Sequence, residues 1–104
     1  MGTFIPVTPT EAIGKNEMLP FTVDGVDIVV VNLNGNFYAL KDTCPHAGAP
    51  ISNGYIRGES LMCAYHGAKF RIQDGAVLTP PAMCAIPSYS VRIENGMIEV
   101  EIEA

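Results

Sequence analysis

The chain has 104 residues, of which 48% are hydrophobic, so it is long enough for one domain with a compact core. Its formal net charge of −5 argues against nucleic-acid binding, which needs basic patches, and disfavours an anionic membrane surface. No segment approaches the ~20 apolar residues of a membrane-spanning helix, and residues 1–15 lack the features of a secretory signal, so we expect a cytoplasmic protein with reduced thiols.

The first predicted element is a short helix at "TPTEAIG", with Thr8 as its N-cap, Pro9 in the first turn and Gly14 as the stop signal. Further along, five Asp-Gly or Asn-Gly dipeptides predict tight turns, because Gly, Asn and Asp accept the positive φ that hairpin turns require. These dipeptides are Asp24-Gly25, Asn34-Gly35, Asn53-Gly54, Asp74-Gly75 and Asn95-Gly96.

Runs rich in β-branched and aromatic residues lie between these turns and predict short strands. They cover residues 26–33, 37–40, 68–72, 76–78, 89–94 and 97–102. In the last run isoleucine and valine alternate with glutamate, so one face would be buried and the other solvated. The pattern predicts a single all-β domain over residues 1–104, with an antiparallel β-sandwich or small barrel as its base. A subdomain built mainly of loops is expected over about residues 42–70, where Gly and Pro replace the strand pattern.

Both histidines of the chain and two of its three cysteines form two small clusters, Cys44 with His46 and Cys63 with His66. Structural zinc accepts two Cys and two His, although zinc-finger halves usually pair Cys with Cys and His with His. A Cys–His nucleophilic pair would leave two of the four residues unexplained. A two-iron cluster, to which each half supplies one Cys for one iron and one His for the other, would use all four residues.

The spacing C-x-H-x16-C-x2-H, followed by Gly67, resembles the Rieske [2Fe–2S] family, in which two His replace two Cys on one iron. The segments "VNLNGNFYAL" and "YSVRIENGMIEVEI" also fit that family, so the resemblance covers most of the chain. It implies one [2Fe–2S] cluster and a proline-bearing covering loop at about residues 79–82. The ligands that it implies are Cys44, His46, Cys63 and His66.

Several positions distinguish this chain from other branches of the family. Respiratory members carry an extra cysteine in each ligand loop and a serine that donates to a cluster sulfide; this chain has Ala49, Tyr65 and Ala68 at those positions. Catalytic oxygenase subunits usually have Arg where this chain has Ala47, and they continue into a mononuclear-iron domain. Cys84 has no place in the ligand set, so we expect a free, structural cysteine there.

The remaining branch is the small ferredoxin of bacterial aromatic-ring-hydroxylating dioxygenase systems, which this sequence is similar to. The resemblance implies a monomeric one-electron carrier, not an enzyme, that serves aromatic-compound degradation. Its partners, in transient complexes, would be a flavin-containing NAD(P)H-dependent reductase and a terminal oxygenase. The small Rieske subunit of an assimilatory nitrite reductase is the alternative, and a zinc-stabilised binding module is a more distant one.

Overall fold

The computed structural model describes residues 2–43, 50–64, 68–79 and 85–103, and strands and turns dominate these ranges. The strands are β1 (Gly2–Pro9), β2 (Glu17–Val23), β3 (Val26–Leu33), β4 (Asn36–Lys41), β5 (Tyr55–Arg57), β6 (Ser60–Met62), β7 (Lys69–Arg71), β8 (Val77–Thr79), β9 (Ser88–Tyr89), β10 (Val91–Glu94) and β11 (Met97–Glu103). Short 3₁₀ helices occupy Thr10–Ala12 and Ile51–Asn53. None of the helices in the described ranges is long and apolar enough to cross a membrane.

The strands form three antiparallel sheets, with the orders β1-β11-β10, β2-β3-β4-β9 and β5-β6-β7-β8. In the third sheet each strand pairs with the next strand along the chain, from β5 to β8. The prediction of an all-β, antiparallel fold is therefore confirmed. The third sheet adds regular strands to the segment that the sequence suggested was made of loops.

Strand β3 lies in the middle layer, and both of its faces are covered. Because side chains alternate along a strand, Ile28 and Val30 enter a core that includes Ile98 of β11. Val29 and Val31 enter a second core, shared with the third sheet. The second core contains Val29, Val31, Leu33, Leu40, Ile51, Leu61, Cys63, Ala68, Phe70, Ile72 and Ile86. An unbroken apolar run in β3 is what burial on both faces requires.

Three of the five predicted turns have the expected geometry. Both residues of Asp24-Gly25, Asn34-Gly35 and Asn95-Gly96 have positive φ, and these pairs close the hairpins β2–β3, β3–β4 and β10–β11. At Asp74-Gly75 only the glycine has positive φ. The prediction for Asn53-Gly54 is wrong, because the pair ends a 3₁₀ helix and Gly54 has a φ of −86°.

The predicted N-terminal helix is only three residues long, and its N-cap is Pro9 without a side-chain cap, so the assignment of Thr8 is wrong. Thr8 instead pairs with β11 as part of β1. Strands β1 and β2 were missed because prolines interrupt their pattern, at Pro6, Pro9 and Pro20. Both strands lie at a sheet edge, where a missing N–H is tolerated.

Candidate metal centre

The structure describes one of the four predicted ligands. Cys63 directly follows β6, is 1% exposed and forms no disulfide. Its position is fixed by the end of the strand and its sulfur is not used in a disulfide, so Cys63 is available as a metal ligand. The other three proposed ligands, Cys44, His46 and His66, lie outside the described ranges, as do Ala47, Ala49, Tyr65, Gly67 and Cys84.

The backbone on both sides of the second ligand segment is joined at its base. The Cys63 N–H donates to the Ala68 carbonyl oxygen at 2.8 Å, and this bond continues the β6–β7 ladder, in which Leu61 pairs with Phe70. Cys63 and Ala68 are both buried in the second core. In the sequence, His66 lies between these two residues, outside the described ranges. The bond between Cys63 and Ala68 therefore joins the two described ends of a segment that contains two of the proposed donors.

The first ligand segment is joined at its base by side-chain hydrogen bonds. The carboxylate of Asp42, which is 8% exposed, accepts the Ser52 N–H on Oδ1 and the Ser52 hydroxyl on Oδ2, both at 2.7 Å. The Asp42 N–H also donates to the Asp27 carbonyl oxygen at 2.9 Å, which fixes the aspartate to the middle sheet. Cys44 and His46 lie in the chain between Asp42 and Ser52.

The third segment, which contains the predicted proline loop, is joined at its base through Gly75. The predicted range 79–82 begins at the last residue of β8, and residues 80–84 lie outside the described ranges. At the far end, the Ile86 N–H donates to the Gly75 carbonyl oxygen at 3.0 Å. A Cβ at Gly75 would lie only 2.0 Å from the Ile86 carbonyl oxygen, so this approach requires glycine.

An ion pair braces the turn that holds Gly75. Arg71 donates from Nε and Nη2 to the two carboxylate oxygens of Asp74, at 2.9 and 2.7 Å, and the Ala76 N–H donates to Oδ1 at 3.0 Å. The hydrogen bond from Arg71, followed by that from Ala76, lowers the pKa of Asp74 to about 2. The carboxylate is therefore ionised at neutral pH, when it can accept all three bonds.

The sequence did not identify Asp42, Ser52 or the contact between Gly75 and Ile86. One signal was available for the aspartate: it is the last charged residue before a stretch, 43–56, with no Asp, Glu, Lys or Arg. This feature does not indicate the partner, because Ser52 lies ten positions further along the chain. Within the part of the chain that the structure describes, no group of three or more His, Cys, Asp or Glu side chains could hold a metal ion.

The chain is similar to known proteins both in sequence and in fold. Residues 3–90 match the family described as Rieske [2Fe-2S] domain. The ferredoxin component of biphenyl 2,3-dioxygenase from Rhodococcus jostii (strain RHA1) is 33% identical over 91 residues, which are 88% of this chain and 85% of that protein.

Two solved structures have the same fold. The ferredoxin of carbazole 1,9a-dioxygenase from Nocardioides aromaticivorans IC177 has a TM-score of 0.89 at 26% identity, and the match covers 94% of this chain and 96% of that one. A chain in the complex of reduced oxygenase and oxidized ferredoxin of carbazole 1,9a-dioxygenase also reaches 0.89, at 23% identity, over 94% and 92% of the two chains. With its family match over residues 3–90 and a curated relative that aligns over most of both sequences, the chain belongs to the Rieske [2Fe-2S] domain family, whose members carry one such cluster.

Proposed function

We propose that this protein is the ferredoxin component of an aromatic-ring dioxygenase system, a one-electron carrier without turnover of its own. In this proposal Cys44, His46, Cys63 and His66 hold the cluster, with two sulfur and two nitrogen donors. When bound, the [2Fe–2S] group supplies a site that accepts and releases a single electron. The chain folds as one domain over residues 1–104, with the cluster-binding subdomain at about 42–70 and a covering proline loop at about 79–82.

The observation that carries the proposal is an alignment along nearly the full length of both sequences. The relative from Rhodococcus jostii is named as a ferredoxin component, and this chain spans 85% of it. The described structure supports the same role, because Cys63 is buried at the end of β6 and is hydrogen-bonded to Ala68. A buried thiolate ligand would keep water from the sulfur side of the site.

The chain's own residues make the site rigid. The Asp42 carboxylate holds Ser52, the Cys63 N–H holds Ala68, and the Gly75 carbonyl holds Ile86. Each contact joins the two ends of one segment near the proposed cluster. Ligands held in this way need little rearrangement when the charge of the site changes by one electron, which favours fast transfer in both directions.

The proposed partners are a flavin-containing NAD(P)H-dependent reductase as electron donor and a terminal oxygenase as acceptor. The carbazole system supports the second of these, because one solved structure contains its ferredoxin and oxygenase together. In this chain residues 43–50, 64–68 and 80–87 contain no Asp, Glu, Lys or Arg. Uncharged segments around the proposed ligands fit brief encounters with two different partners, which bury less than ~1,200 Å². We propose that the carrier is a monomer. We also propose that it works in the cytoplasm, where NAD(P)H is available.

Reconstitution tests this function. The protein is mixed with a dioxygenase reductase and its oxygenase, and NADH-dependent formation of cis-dihydrodiol from biphenyl or naphthalene is measured. We expect turnover only when all three components are present, and electron delivery that saturates with the concentration of this protein. Turnover that is independent of this protein in every system, together with tight co-purification with a sirohaem enzyme, would instead support a nitrite reductase subunit.

A further inference from the structure

The short segment Ile51–Gly54 connects the backbones that lead to the two proposed cysteine ligands. We infer that this segment is a spacer that sets the separation between Cys44 and Cys63 and thereby tunes the cluster, with Ser52 and Gly54 as positioning residues. The inference rests on the ligand set of the proposed function. It adds two residues that contribute no ligand atom and would still affect the potential of the site.

One end of the spacer is fixed to the approach of the first ligand segment. Ser52 donates twice to Asp42, from its backbone N–H and from its hydroxyl, and so uses both carboxylate oxygens. Asp42 precedes Cys44 by two residues and is itself held by the Asp27 carbonyl. Because two hydrogen bonds of 2.7 Å act on one carboxylate, Ser52 can neither rotate nor slide without breaking at least one of them.

The other end of the spacer lies against the approach of the second ligand segment. A Cβ built at Gly54 would lie 1.9 Å from the Met62 carbonyl oxygen and 3.0 Å from its carbonyl carbon. Met62 directly precedes Cys63 and pairs with Tyr55 in the β5–β6 hairpin. Since Gly54 has a φ of −86°, glycine is needed here for the close backbone approach and not for a left-handed turn.

The middle of the spacer is fixed to the core. Ile51 is fully buried in the same core as Leu61 and Cys63, and the Gly54 N–H donates to the Ile51 carbonyl oxygen at 2.9 Å. The spacer is therefore held at both ends and in the middle. A substitution that moves either end would shift one ligand backbone relative to the other, and ligand geometry and hydrogen bonding are what set the potential of such a cluster.

The first experiment uses two glycines of the same region. In Gly54→Ala the new methyl group must displace the backbone at Met62, whereas in the control Gly58→Ala it meets nothing within 4 Å and has only the strain of a φ of +61°. For the holoprotein we measure EPR g-values after reduction and the midpoint potential by protein-film voltammetry. We expect Gly54→Ala to change both, with at least a threefold change in the ratio of reduced to oxidised protein at the wild-type midpoint, about 28 mV at 59 mV per tenfold. Gly58→Ala should keep both values even though it lowers stability.

The second experiment uses the serine, whose substitution leaves the backbone bond to Asp42 in place. Ser52→Ala removes the hydroxyl bond and should shift the g-values and the potential, and Ser52→Thr, which keeps a hydroxyl, should restore them. If Gly54→Ala does not fold, this pair decides the question. Wild-type g-values and potential in both Ser52→Ala and Gly54→Ala, with only their stability reduced, would overturn the inference and leave the proposed function intact. A wild-type protein without an iron–sulfur spectrum would overturn both.

Discussion

The contact between Gly75 and Ile86 gives a sharp prediction about the proline segment. Gly75 has a φ of +75°, and its carbonyl oxygen accepts the Ile86 N–H, which lies just after residues 80–84. Gly75→Ala should destabilise the protein and loosen the end of this segment. Gly96→Ala is the matched control, because Gly96 has a φ of +77° and no atom within 4 Å of the new Cβ.

The two variants share one destabilising effect and differ in another. An L-residue in the left-handed region costs roughly 1–2 kcal/mol, which applies to both. In Gly75→Ala the Cβ would also lie 2.0 Å from the Ile86 carbonyl oxygen, so that backbone must retreat by roughly 1.4 Å to reach ordinary contact. The movement breaks the Ile86–Gly75 hydrogen bond, which contributes about 1 kcal/mol, and disturbs the packing of the buried Ile86. We expect Gly75→Ala to lose about 3 kcal/mol and Gly96→Ala about 1–2 kcal/mol.

Urea unfolding followed by far-UV circular dichroism measures this difference. With a slope near 1 kcal/mol/M for a small protein, the midpoint of Gly75→Ala should fall roughly 1–2 M below that of Gly96→Ala. The visible absorbance of the cluster should also decay faster in Gly75→Ala, since the segment that follows Gly75 is the predicted cover of the cluster. Equal midpoints and equal decay in the two variants would refute the assignment of Gly75 as the anchor of this segment.

Three further outcomes follow from the site. Cys63→Ser should lose or badly damage the cluster, whereas Cys84→Ala should keep it; loss of the visible spectrum in the Cys84 variant would show that the ligand assignment is wrong. The pKa of the Asp74 carboxylate is lowered to about 2, so the charged carboxylate stabilises the fold at pH values above the ordinary pKa of an aspartate. This contribution is lost as the pH falls from about 4 through about 2. An acid titration followed by circular dichroism should therefore be flatter over this pH range in Asp74→Asn. Ala68→Ser introduces a hydrogen-bond donor at the position where respiratory members have one. If its bond to the reduced cluster is stronger than its bond to the oxidised cluster by about 1 kcal/mol, the potential should rise by about 40 mV. Voltammetry with no upward shift would place residue 68 away from the cluster.

The sequence predicted the parts of the fold that local pattern determines. The run 26–33 became β3 without change, and the continuous apolar stretch 28–31 within it reflects burial on both faces. The three hairpin turns at Asp24, Asn34 and Asn95 followed from residues that accept positive φ. The edge strands β1 and β2 could not be read in the same way, because their prolines are tolerated only through tertiary placement at a sheet edge.

The candidate site was also predicted only in part. Mixed Cys and His halves at fixed spacing indicated the donor set, because coordination chemistry restricts residue types strongly. The residues that hold the segments could not be found from spacing. Asp42 and Ser52 are ten positions apart and meet only in the folded chain, and Gly54 looked like a turn glycine until its approach to Met62 was seen.

The proposed function requires this chain to bind one [2Fe–2S] cluster through two cysteines and two histidines. Pulsed EPR of the reduced protein, prepared with natural and with ¹⁵N-labelled histidine, tests it most directly when combined with iron and sulfide analysis. We expect two irons and two acid-labile sulfides per chain, with couplings from two histidine nitrogens that change on labelling. A colourless protein with one zinc, or an iron–sulfur cluster without histidine couplings, would contradict it.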